Sequence, residues 1–120
     1  MGRTQKLETR LREAVERLRK ATDCTGAVDS RGTRFVWTSI AAEERRTQMQ
    51  KRFDEAVALL ERRPSGHARR RGLRAAYFQN QGRTLALWET DHDPDAGLLI
   101  QVGLWPSGFD PDRPPRLPPF

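Results

Sequence analysis

Three apolar stretches decide the fold. They are Leu73-Arg-Ala-Ala-Tyr-Phe-Gln79, Arg83-Thr-Leu-Ala-Leu-Trp-Glu-Thr90 and Leu98-Leu-Ile-Gln-Val-Gly-Leu-Trp105. In the last, Leu98, Ile100, Val102 and Leu104 alternate with Leu99, Gln101, Gly103 and Trp105. A period of two puts the two sets on opposite faces of a strand. Asn80-Gln81-Gly82 separates the first two stretches as a turn, and Asp91 to Gly97, with Pro94 inside, separates the last two as a loop. The pattern predicts a three-stranded antiparallel meander.

Working outward, Pro106 ends the last strand, and residues 106–120 hold Pro106, Pro111, Pro114, Pro115, Pro118 and Pro119. Such a tail is predicted to be extended or polyproline-like, because proline donates no ladder hydrogen bond. Upstream, Leu7, Leu11, Ala14, Val15 and Leu18 recur at helical spacing and predict a helix over residues 4–22, with Thr4 at its start. Residues 23–32 read as loop. Arg34 to Thr38 reads as a short strand and Ser39 as the N-cap of a helix running to about Arg63. Glu43 and Glu44 suit its first turns, and Ala42, Met49, Phe53, Ala56, Val57 and Leu60 would form its buried stripe. Pro64-Ser65-Gly66 would stop it. The fold class expected is therefore α+β: N-terminal helix, strand, long helix, then a three-stranded meander packed on the helices. One domain over residues 1–105 would carry a proline-rich tail over residues 106–120.

The chain has 120 residues, 36% hydrophobic and 32% charged, so one domain with a small core is expected. No run of ~18 apolar residues exists to span a bilayer. The start, Met-Gly-Arg-Thr-Gln-Lys, leads into a charged helical pattern instead of a secretory signal, so a cytoplasmic location is expected. A single cysteine, Cys24, excludes an internal disulfide framework and a zinc site of several cysteines.

Net charge is +6, but it is uneven. Residues 65–88 hold Arg69, Arg70, Arg71, Arg74 and Arg83 with no acid. Residues 89–112 hold Glu89, Asp91, Asp93, Asp95, Asp110 and Asp112 with no base. Nineteen of the 22 basic residues are arginine. Guanidinium forks suit phosphate, although a GC-rich codon supply produces the same ratio.

No constellation for catalysis or metal is complete. Asp91-His92-Asp93-Pro94-Asp95, with Glu89 before it, offers alternating oxygens. Counted from Asp91, however, the sixth and twelfth positions of a calcium loop are Ala96 and Val102, where glycine and a carboxylate are required. Cys24 would need His67 or His92 brought to it by the fold, and Glu89 with Asp91 is an unsupported carboxylate pair. The glycines are scattered, without a phosphate loop. No metal and no cofactor is expected.

Nucleic acid is the better case. Arg69, Arg70, Arg71, Arg74 and Arg83, with Arg62, Arg63 and His67 nearby, could neutralise several phosphates. Tyr77 or Phe78 would point outward from the hairpin and could stack on a base, unless both pack between sheet and helix. RNA is the expected partner ahead of DNA. The alternative is a protein-interaction module, an adaptor, immunity-type protein or subunit of an assembly. It would form homo- or hetero-oligomers through residues 4–22 and 106–120. Pro111-Asp-Arg-Pro114-Pro-Arg116 fits a P-x-x-P-x-R ligand, and Leu117 and Phe120 could pin the arm to its own domain or to another chain.

Residues 34–105 resemble the RelE/ParE group of small toxins in the order strand, helical stretch, three strands. The stretches that carry the likeness are Phe35-Val36-Trp37, Leu59-Leu60-Glu61-Arg62-Arg63-Pro64, Arg71-Gly72-Leu73-Arg74, Gly82-Arg83-Thr84-Leu85 and Gln101-Val102-Gly103. The resemblance implies that Arg71, Arg74 and Arg83 match basic positions used on RNA, and that any enzymatic activity would be endoribonuclease-like. The histidine and arginine that often follow the valine-glycine are Leu104 and Trp105 here, and the helix 4–22 and the tail are additions.

Overall fold

The computed structural model describes residues 3–20, 25–29, 31–60, 62–91 and 97–117. Cys24, His92, Asp93, Asp95 and Phe120, considered above, lie outside them. The described residues form α1 (Arg3–Lys20), β1 (Thr25–Val28), β2 (Arg34–Glu43), α2 (Arg46–Leu59), β3 (Gly66–Arg70), β4 (Leu73–Asn80), β5 (Arg83–Thr90) and β6 (Leu98–Trp105). All the strands join one sheet in the order β1-β2-β6-β5-β4-β3, and every neighbouring pair is antiparallel.

The α+β class is as expected, and β5 and β6 begin and end where the alternation places them. The meander is larger than expected. It has four strands, β3 to β6, inside a six-stranded sheet. Two strands read as loop. β1, Thr-Gly-Ala-Val, is too short and too rich in small residues to show alternation. It is set by pairing with β2, and its turn is tied by the buried Asp29 carboxylate, which accepts from the backbone N–H of Arg31 at 2.9 Å and of Thr33 at 3.0 Å. β3, Gly-His-Ala-Arg-Arg, looks like a basic loop until its pairing with β4 is seen.

The larger correction is at Ser39. It caps no helix but lies inside β2, which runs to Glu43 and pairs with β6 throughout, with a bulge between Ser39 and Ala41. Thr38-Ser39-Ile40-Ala41-Ala42 has mixed local preference, and the partner strand overrides it. α2 is therefore shorter, with Arg45 at its N-cap and no side-chain cap. Met49, Phe53 and Ala56 are buried as expected, whereas Ala42 is exposed on β2. Glu43 serves α2 from outside: Arg52 bridges Glu43 at 3.3 Å and Glu55 at 2.6 Å, tying helix to strand. Likewise α1 begins at Arg3, which puts Thr4 inside the helix.

Both helices cover one face. Leu7, Leu11, Ala14 and Leu18 of α1 and Met49, Phe53 and Ala56 of α2 meet Ile40, Ala76, Phe78, Leu85, Leu87, Ile100, Val102 and Leu104 of the sheet. The other face has its own aromatic layer. Phe35 stacks on Trp105 at 4.3 Å, and Trp88 meets Trp105 edge-on at 6.0 Å. Gly103 makes room for both indoles: a Cβ there would lie 2.8 Å from Trp105 and 2.9 Å from Trp88. Trp88 Nε1 donates to Gln101 Oε1 at 3.0 Å, and Gln101 Nε2 donates to Ser39 Oγ at 3.2 Å.

The tail closes part of this second face. Thr84 Oγ1 donates to the carbonyl of Ser107 at 2.7 Å, Gln79 Nε2 to that of Phe109 at 3.0 Å and Arg31 to that of Pro114 at 3.1 Å. The Phe109 ring packs 5.2 Å from Tyr77, and Leu117 reaches the same cluster. Proline suits such a strap: its lost donor is not needed where the carbonyls do the bonding.

Two turns carry backbone strain. Gln81 (φ 53°) with Gly82 (φ 79°), and Arg71 (φ 54°) with Gly72 (φ 79°), each place two left-handed residues between paired strands. This is the type I′ arrangement, which favours asparagine at the first of the two positions. Gln81→Asn is expected to raise stability by about 0.5–1 kcal/mol, and thermal melting would show it as a rise of roughly 2–4 °C.

Candidate nucleic-acid interface

The five arginines of the basic block go to three places. Arg74, on β4, points to the helix face and is bound there. Its backbone N–H and Nε donate to Glu89 Oε1 at 2.8 and 3.2 Å, and its Nη2 donates to Glu89 Oε2 at 3.3 Å. The guanidinium also donates to Asp54 at 2.9 Å and to the carbonyl of Gln50 at 2.8 Å, and it lies 4.7 Å over the Phe53 ring. Burial disfavours its charge, but the hydrogen bonds and charges of Glu89, then of Asp54, outweigh that, and its pKa is raised. The Glu89 side chain is fully buried. Arg74 thus fastens α2 to the sheet.

Arg83 begins β5, opposite Asn80. Arg69 sits opposite Arg74, at the other end of the sheet. With Ala75 opposite Trp88, about six residues of strand separate the two levels, roughly 20 Å. Arg83 does not join the others.

Arg69, Arg70 and Arg71 remain together on β3 and its turn. β3 is the outer strand of the sheet, and His67, Ala68, Arg69 and Arg70 are exposed along it. Arg71 follows in the exposed turn. Arg62 and Arg63 are exposed before the strand, and Arg62 donates to the carbonyl of Gln79 at 2.7 Å. At the far end Arg46 approaches Gly72 and pairs with Asp91. The juxtaposition of Arg69 with Arg74 would be repulsive, but Glu89 and Asp54 neutralise Arg74. The outcome is a strand edge bearing cations on both its faces and at both its ends.

Tyr77 and Phe78 offer no stacking surface. Phe78 is fully buried under the helices, and Tyr77, 3% exposed, is covered by Phe109 and donates its hydroxyl to the Pro115 carbonyl at 3.1 Å. Burial raises the Tyr77 pKa, with a smaller opposing effect from Arg31. The neutral phenol is the form that fits. Its stabilising effect is complete below the ordinary tyrosine pKa and is lost as pH rises through the higher folded value. Tyr77 is the chain's one tyrosine, so phenolate absorbance titrates this site alone. Ionisation is expected above the usual range, accompanied by release of the tail, and Tyr77→Phe is expected to abolish that pH step.

Among the described residues no three His, Cys, Asp or Glu side chains converge to hold a metal, and no helix is long and apolar enough to cross a membrane. Among the described residues, the apolar side chains invoked for a protein partner are engaged internally. The apolar stripe of α1 is in the core, and Phe109, Pro114, Pro115 and Leu117 lie on the chain's own sheet or hydrogen-bond to it.

The fold and this edge define an α+β protein with an antiparallel sheet and a basic outer strand. No family model, curated protein or solved structure matches the chain. The likeness of residues 34–105 to the RelE/ParE group therefore stands on its short motifs alone.

Proposed function

We propose that this protein binds nucleic acid through the phosphate backbone, along the edge formed by Arg62, Arg63, Arg69, Arg70 and Arg71. The observation that carries the reading is the run of exposed cations on an outer strand that no other strand covers among the described residues. Guanidinium forks on an extended strand match the oxygens of an extended phosphodiester chain. β3 and its turn carry no Phe, Tyr or Trp, so affinity comes from charge and not from stacking.

Binding without cleavage is the form this function takes. Of the three positions that the toxin-group resemblance brings forward, Arg71 is on the edge, Arg74 is bound by Glu89 and Arg83 is at the other end of the sheet. No centre assembles from them. Guanidinia on phosphate do not read the sugar, which RNA-specific recognition does through the 2′-hydroxyl. RNA and single-stranded DNA of equal length are therefore expected to bind within a few-fold of each other.

Fluorescence anisotropy with short labelled single strands tests the reading. Binding at low salt that weakens steeply as salt is raised is expected. No binding at low salt, or an affinity indifferent to salt, would sink it.

A further inference from the structure

A second basic feature lies at the opposite end of the sheet, in residues the linear sequence keeps far apart. Val36 of β2 and Leu85 of β5 both pair with Leu104 of β6, so the three lie in one row across the helix face. Two residues earlier on each outer strand come Arg34 and Arg83, on that same face. They flank Pro106, separated by two strand spacings, roughly 10 Å. Gly26, Val36 and Leu104 form the floor of a cleft of about 680 Å³ there, with Leu18 of α1 beside it and Val28, Arg34, Pro106 and Arg83 around its mouth. The volume suits a small organic ligand.

Its chemistry is one-sided. Among the described residues the lining includes two arginines and no acid, and neither the Arg34 nor the Arg83 side chain has a hydrogen-bond or ion-pair partner. Val28, 53% exposed, is the most exposed large apolar side chain described, and it stands at this mouth.

We propose that this cleft binds a small amphipathic anion, an apolar body with one carboxylate or phosphate-type head. The body lies against Leu18, Val36 and Leu104, and the head is held between Arg34 and Arg83. This site is separate from the β3 edge and does not depend on the nucleic-acid reading.

Equilibrium dialysis with decanoate, decanol and inorganic phosphate tests it on the full chain. Saturable binding of decanoate is expected, at least tenfold tighter than decanol or phosphate alone. Arg34→Gln with Arg83→Gln is expected to remove the preference for decanoate over decanol while decanol binding and the circular dichroism spectrum stay unchanged. Should that pair disturb the fold, Val28→Gln at the exposed mouth, which removes apolar surface without adding charge, is expected to weaken decanoate and decanol alike. Absence of saturable decanoate binding, equal affinity for decanoate and decanol in the unaltered protein, or a preference that survives loss of both arginines would overturn the proposal.

Discussion

Arg74→Ala is expected to destabilise the protein by about 3–5 kcal/mol, the cost of leaving a buried charge without its partner. The Glu89 side chain is fully buried, and after the substitution it would keep, among the described residues, only the backbone N–H at position 74. The contact with Phe53, the link to Asp54 and the bond to the Gln50 carbonyl go at the same time. For a chain of 120 residues the melting temperature should fall by roughly 12–20 °C. Replacing both partners, Arg74→Met with Glu89→Met, is expected to restore most of the loss, because two apolar side chains need no pairing. The double replacement leaves net charge unchanged. Oligonucleotide affinity within about twofold of the unaltered protein would then place Arg74 in the fold and not in the interface.

The second large effect is on binding. Arg63→Gln, Arg69→Gln and Arg71→Gln together remove three exposed edge cations. If each neutralises one phosphate of a single strand, affinity near 0.1 M salt should fall about a hundredfold. Stability should stay within about 0.5 kcal/mol, since these side chains are on the surface. Charges on an outer strand also discourage edge-to-edge association. Analytical ultracentrifugation of the triple variant separates the two roles. A monomer with weakened binding supports the interface. Aggregation with affinity retained would make the arginines guards of the edge alone.

Legibility in the sequence followed the source of each element's stability. α1 is periodic because one face of it is buried along its length, and β5 and β6 are apolar runs because both faces of the sheet are covered there, so their positions were readable from Leu7 to Leu18, Leu85 to Trp88 and Ile100 to Trp105. β1, β3 and the second half of β2 are stabilised mainly by a partner strand, so Thr25–Val28, Gly66–Arg70 and Ser39–Glu43 looked like loop or helix. One signal for β3 was available: Arg71-Gly72 is a two-residue hairpin turn of the same kind as Gln81-Gly82. The arginine block was legible as charge but not as a site. That Arg74 has a buried partner fifteen residues away, and that Arg83 belongs with Arg34, depends on strand order, which no local pattern encodes.

The division of the basic block into an edge, an internal clasp and a remote cleft is tested most directly by the salt dependence of oligonucleotide binding. Three proteins are compared: unaltered, the Arg63, Arg69 and Arg71 triple variant, and Arg83→Gln. With five edge guanidinia engaged, log K against log salt should have a slope of roughly −3.5 for a single strand, falling to roughly −1.4 in the triple variant. Arg83→Gln should leave the slope unchanged. A flat dependence in the unaltered protein, or a slope reduced as much by Arg83→Gln as by an edge substitution, would contradict the assignment of binding to the β3 edge.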